Sequence, residues 1–243
     1  MLKSITMLSA LAVVGAANAT IITQWNFNSA VADANTATGT TNPNIGTGTA
    51  ALVGGVTATF ASGDASGGST DPATGDDSGW NLTTFAAQNT GSGTRGAQFN
   101  VSTVGFSNVV LTMDNRHSNT SSKWVQVQYT LDGNAWSSTG LADDGQFSAT
   151  AGDTWFNSRS VDFSGVLGAA NNANFGVRVV AIFDPLLGNA YSASNPTSAY
   201  GTTSTLRFDM VTVSGNAVPE PASMAILGVG FMGLIARRRR STK

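Results

Sequence analysis

Residues 20–217 predict an all-β fold, a single antiparallel β-sandwich, from three observations. Strong helix formers are scarce: this segment holds one lysine and no glutamate among many Thr, Ser, Asn and Gly residues. Apolar and polar residues alternate in several runs, the period-two pattern of a half-buried strand. Clusters of Gly, Asp and Asn punctuate the runs as turn signals. Roughly eight to ten strands fit one sandwich of this length.

In chain order, residues 21–27, 51–60, 97–101 and 107–113 are the early strands. Residues 123–131 alternate most clearly: Val125, Val127, Tyr129 and Leu131 share one face, and Gln126, Gln128 and Thr130 the other. Asp132-Gly133-Asn134 is a turn leading to Trp136. Residues 155–163 form a further strand, and residues 164–173 are placed to form one helical turn. Phe175, Val177, Val179, Ala181 and Phe183 share a face, stopped by Asp184-Pro185. In the last strand Leu206, Phe208 and Met210 oppose Arg207, Asp209 and Val211. Residues 32–49 and 62–78 read as long exposed loops.

Composition excludes several classes of site. The chain has 243 residues, no cysteine, one histidine and 11% charged residues. Without cysteine there is no disulfide framework, thiolate metal site or cysteine nucleophile. His117 alone cannot build a site of several histidines. The charged fraction is far below the usual quarter, which argues against a nucleic-acid binder.

The net charge of −2 conceals a strong asymmetry. Residues 20–217 carry 6 basic residues against 13 aspartates, a net of −7. The other basic residues sit at the two ends, which points to a membrane-related arrangement. At the N-terminus Lys3 precedes an apolar stretch, and Ala17 and Ala19 supply small residues three and one positions before a cleavage point. This is the layout of a signal peptide spanning residues 1–19. At the C-terminus, residues 218–243 open with Pro219-Glu220-Pro221. An uncharged helix at 222–236 follows, then Arg237, Arg238, Arg239 and Arg240. Fifteen helical residues rise about 22 Å, short of a roughly 30 Å hydrocarbon core. The arginines bridge the difference by snorkelling and keep the basic end in the cytoplasm, with the acidic body outside.

These three parts, in this order, resemble the PEP-CTERM sorting signal of exported Gram-negative bacterial proteins. The resemblance implies recognition by a membrane-embedded exosortase-type enzyme and cleavage near Pro219–Pro221. The chain would pass transiently through the inner membrane to the cell surface or extracellular polysaccharide matrix. It also implies a link to exopolysaccharide and biofilm, with Glu220 as a recognition residue and the chain as substrate. The strand series around residues 125–133, 175–184 and 206–215 is similar to galactose-binding or carbohydrate-module jelly rolls, in which a final strand carries an aspartate.

The body offers little catalytic chemistry. His117 follows a strand end and reads as a surface loop residue, with nothing to orient a nucleophile toward it. Asp76-Asp77 and Asp143-Asp144 sit beside glycines and read as solvated loop pairs, with calcium ligation as the alternative. Asp209 is the metal candidate that the jelly-roll resemblance implies, against a strand-face aspartate paired with Arg178 or Arg207. Trp80, Trp124, Trp136 and Trp155 are core residues or sugar-stacking platforms. Trp124 and Trp136 are the ligand-binding candidates, because Trp124 falls on the polar Gln126/Gln128 face. The expected protein is an exported, non-catalytic surface component without an obligatory cofactor, carrying a carbohydrate-binding face. A secreted polysaccharide-active enzyme using aspartates, or a structural adhesin, are the alternatives.

Overall fold

A computed structural model describes residues 19–73 and 75–218. The signal peptide expected at residues 1–19, apart from Ala19, and the expected roles of Pro219, Glu220, Pro221, the helix at 222–236 and the arginines at 237–240 lie outside the described residues. Among the described residues no helix is long and apolar enough to cross a membrane.

Two antiparallel sheets form the sandwich that the alternation predicts. The strands are β1 (Ala19–Trp25), β2 (Ile45–Gly46), β3 (Thr49–Val53), β4 (Thr57–Ser62), β5 (Ser78–Thr83), β6 (Gly96–Asn100), β7 (Phe106–His117), β8 (Trp124–Thr130), β9 (Gln146–Ser148), β10 (Thr154–Asp162), β11 (Gly176–Ile182) and β12 (Leu206–Ala217). The first sheet runs β10-β7-β12-β1-β2, with β5 also on β12 and β4 on β5. The second runs β3-β6-β11-β8-β9. From β5 onward the chain crosses between sheets at almost every connection, the winding of a jelly roll.

The inner faces meet in one apolar core. Val125, Val127 and Tyr129 of β8 and Val177, Val179 and Ala181 of β11 pack against Trp25, Leu111, Leu206, Phe208 and Val213 of the first sheet. Phe99 of β6 lies at its centre, with ring centroids 5.1 Å from Trp25, 6.2 Å from Trp80 and 6.5 Å from Phe208.

Three expectations from sequence are corrected. The run at 51–60 is two strands in different sheets, because Gly54 and Gly55, both with positive φ, turn the chain from one layer to the other. Residues 164–173 form successive turns closed by Val166 N to Phe163 O and Ala169 N to Val166 O, with no helix. In β12 the alternation reverses at Met210, whose φ is +46°. The register against β7 shifts between Asp209 and Thr212, so Val211 joins Leu206 and Phe208 in the core. One extra residue in a strand re-aims every side chain after it.

That break is also a change of partner. Along one edge β12 pairs with β5 through Leu206–Phe208, and with β1 from Val211 onward. Ala19 lies opposite Asn216, so the two ends of the body emerge side by side. Val218 N still donates to Gly105 O at 2.8 Å, and ordered pairing therefore runs to the residue before Pro219.

Candidate functional site

The polar face that β8 predicts forms the outer surface of the second sheet. Register places Gln98 of β6, Arg178 of β11 and Gln128 of β8 in one cross-strand row. The next row along holds Val180 and Gln126, and the one after that Ile182 and Trp124. Arg178 Nε donates to Gln128 Oε1 at 2.7 Å, and Gln128 Nε2 to Gln126 Oε1 at 2.8 Å. Gln126 Nε2 in turn donates to Asp144 Oδ2 at 2.9 Å. This chain of charge-assisted and amide bonds holds the side chains in one fixed arrangement.

Trp136, on the loop after β8, covers Arg178 with the guanidinium 4.7 Å from its ring centroid. Partial burial lowers the Arg178 pKa from the usual guanidinium range. Trp124 and Trp136 are both half-buried. They lie over the same face but two rows apart, so the structure does not join them into one aromatic shelf. Trp80 and Trp155 are buried, and Trp155 Nε1 donates to Ala65 O at 2.9 Å. Asp143 and Asp144 are exposed, as expected of a loop pair.

Sequence reasoning missed a cleft of about 450 Å³ beside the second sheet, lined by Gln88, Lys123, Tyr191 and Tyr200 among others. The tyrosine rings stack at 4.4 Å. Burial pushes the Tyr191 phenol up to about 12. The tyrosines belong to an irregular segment without periodicity, so no pattern marked them.

His117 is corrected from a surface loop to the buried end of β7. Nδ1 lies 2.9 Å from Ser122 O, which only accepts, and Nε2 lies 3.3 Å from an Arg159 nitrogen, which only donates. The neutral ring with its proton on Nδ1 satisfies both. Burial, and secondly the Arg159 charge, hold its pKa down at about 3. Both nitrogens are engaged in the core, which leaves none to act as a base at the surface.

The larger correction concerns the aspartates. Asp76 and Asp77 are buried rather than solvated. Residues 62–73 and 75–78 are docked on the outer face of the first sheet, where Thr70 N and Oγ1 both donate to Asp114 and Asn157 Nδ2 donates to Gly68 O. This docking delivers Asp71 and Asp77 to Asp209, with one oxygen from each within 4.8 Å of the others. Burial pushes the Asp77 carboxyl up to about 6, and the Asp71 and Asp64 charges add to it. Burial pushes Asp209 up to about 9, with the Asp77 charge next in importance. Asp209 is not ion-paired as the alternative reading had it. Arg178 is in the other sheet, and Arg207 is bonded to Ser62 O and Asn81 Oδ1. Arg116–Asp153 is the one ion pair among the described residues.

Residues 217–240 match the PEP-CTERM protein-sorting motif. No curated protein matches the chain. Among solved structures, the CBM22-1 xylan-binding domain from Paenibacillus barcinonensis Xyn10C is similar, with a TM-score of 0.37 and 10% identity over 70% of this chain and 87% of that one. The matched segment coincides with the proline-rich, apolar and arginine-rich parts read from the sequence, and it marks the chain as an exported, exosortase-processed protein carrying a PEP-CTERM sorting signal.

Proposed function

We propose that this protein is a non-catalytic cell-surface or matrix component. It is anchored briefly in the inner membrane, released by an exosortase-type enzyme, and associated with extracellular polysaccharide through the outer face of its second sheet. The observation that carries the sorting half is the PEP-CTERM motif beginning where β12 ends. In this reading the signal peptide at 1–19 exports the chain, and the helix at 222–236 with Arg237–Arg240 holds and orients it until cleavage. Binding rests on the row of Gln98, Arg178 and Gln128 beneath Trp136, which pairs fixed amide donors and acceptors with an aromatic plane. Sugars present hydroxyl rims and apolar faces, and such a row answers both.

Two experiments test the halves separately. Replacing Pro219-Glu220-Pro221 by alanines, or deleting the exosortase, should leave the full-length chain in the inner-membrane fraction. Unchanged release into the medium would sink the sorting reading. For binding, Trp136→Ala and Arg178→Ala should each weaken retention by the producing strain's exopolysaccharide in affinity electrophoresis by roughly tenfold, the loss of one stacking or charged contact. Trp80 and Trp155 are core residues and unsuitable as probes. Equal retention of wild type and both variants would remove this face from the reading and favour a structural adhesin.

A further inference from the structure

We infer that the end of the sandwich from which β12 leaves is a membrane-docking surface, which seats Val104, Leu167 and Val218 in the outer leaflet of the inner membrane while the chain is anchored. The inference rests on the anchored state proposed above and adds to it a contact between the folded body and lipid.

The geometry of that end comes first. Val218 N donates to Gly105 O at 2.8 Å, and Gly105 N donates to Asn171 Oδ1 at 2.9 Å. Thr103 Oγ1 donates to Ala169 O at 2.6 Å, and Thr103 N to Asn172 O at 2.8 Å. The last residue of the body, the turn before β7 and the turns at 164–173 are thus one hydrogen-bonded unit. Three large apolar side chains stand exposed on it: Leu167 at 96%, Val104 at 55% and Val218 at 49%. Leu167 sits on a fixed backbone, since Ala169 N donates to Val166 O at 3.1 Å and Asn172 Nδ2 to Gly168 O at 2.8 Å. Scattered apolar residues on a surface are ordinary, but a group on one rigid end marks a contact surface.

Charge is the second, independent observation. Residues 96–113, 163–177 and 210–218, which build this end, contain no charged residue. Asp132 and Asp162 lie at its margin. Asn172 Nδ2 donates to Leu131 O at 3.0 Å, one residue before Asp132, and the Asp162 carboxylate is taken up by Ser164 N and Oγ at 2.7 and 3.0 Å. A bilayer carrying anionic lipid repels a body of net −7 wherever its aspartates face the surface, and accepts it at an end without them.

The tether selects this end over any other. Leu186 and Leu187 are also exposed, at 88% and 58%, but they follow Ile182 at the far end of β11. The turns at 164–173 precede Gly176 at its near end, about 20 Å away along the strand. Pro219, Glu220 and Pro221 alone separate Val218 from the uncharged stretch at 222–236. Four residue steps, from Val218 to Ala222, reach at most about 14 Å. The headgroup layer on one side of a bilayer is about 5–8 Å thick. Val218 therefore stands at the lipid surface whenever that stretch spans the hydrocarbon, and the unit bonded to it stands there too. Ala19, opposite Asn216, leaves from the same end. A few apolar tips bind a bilayer weakly by themselves, but so short a tether makes their contact with lipid intramolecular. Docking then holds Pro219–Pro221 at the depth where a membrane-embedded processing enzyme works.

The test uses the full-length chain reconstituted in phosphatidylethanolamine–phosphatidylglycerol vesicles with nitroxide-labelled lipid in both leaflets. The chain has no cysteine, so Val104→Cys, Leu167→Cys and Leu187→Cys each place a single fluorophore. Labels at 104 and 167 should lose roughly half of their emission relative to vesicles without nitroxide, as expected of groups seated at the headgroup–acyl boundary, and the label at 187 should keep its emission. Adding Leu167→Asp to Val104→Cys should restore most of the emission at 104, because a charge is expelled from lipid. Flotation of the same vesicles after a carbonate wash reads anchoring separately. A chain that washes off overturns the anchored state and docking with it. A chain that stays with the vesicles while all three labels keep their emission overturns docking alone. Equal quenching at all three positions would show a body lying on the bilayer without a preferred end, and overturns the assigned surface.

Discussion

Phe99→Ala is expected to lower the unfolding free energy by about 3–5 kcal/mol, the cost of emptying a fully packed aromatic site. Phe99 has no exposed surface and stands on β6 of the second sheet, yet its aromatic neighbours Trp25, Trp80 and Phe208 all belong to the first. The ring is thus a principal contact between the layers. Its removal leaves a void that the layers can close only by moving against their own hydrogen-bond ladders. Guanidinium unfolding followed by tryptophan fluorescence reads the effect, since Trp25 and Trp80 border the site. Phe99→Leu keeps more of the volume and should cost less. A loss below about 1 kcal/mol for the alanine variant would mean that Phe99 does not hold the sheets together.

Acid should destabilise the fold through His117, and the sign follows from its neighbours. In the folded state its pKa is held at about 3, against 6.5 for a free imidazole. Protonation would set a new Nε2–H donor against the Arg159 guanidinium, itself buried and lowered to about 10. Below about pH 6.5 the unfolded chain therefore takes up a proton that the folded chain refuses. Stability contributed by neutral His117 is fully present above that pH, and as the pH falls toward 3 it declines at about 1.4 kcal/mol per unit. His117→Gln, whose amide has both a donor and an acceptor, should be less stable at pH 7.5 but free of this slope. Equilibrium unfolding of both proteins at pH 7.5, 6 and 5 compares them. The difference in stability between wild type and variant should shrink by about 1.2 kcal/mol from pH 6 to 5, since the unfolded imidazole is still partly neutral at pH 6. A pH-independent difference would show that His117 is protonated in the folded protein or not buried as described.

The strands themselves were legible because the pleat is a local property. Alternation in β8 and β11 placed Val125, Val127, Val177 and Val179 inward, and Gln126, Gln128 and Arg178 outward, and the sheets keep that arrangement. The paired polar row followed directly, since two adjacent strands with the same phase present one face. The Asp-Gly turn after β8 likewise explained why Trp136 returns over that face. His117 was misplaced because a histidine at a strand end carries no local sign of what will cover it. Phe156, Arg159 and Ser122 do so, from β10 and the loop beyond β7.

Composition and period-two patterning thus settled the class of fold and its inward faces, and the order of prolines, apolar residues and arginines at 217–240 settled that the chain is a sorting substrate. Both are read along the chain within a few residues. Tertiary structure decided the rest. The bulge at Met210 turned Val211 into the core, β12 came to be shared by β5 and β1, and a Gly- and Ser-rich loop proved to be docked with its aspartates beside Asp209. Such features depend on which distant segments meet. The burial that unites Asp71, Asp77 and Asp209 arises from those meetings, and short-range periodicity holds no record of them.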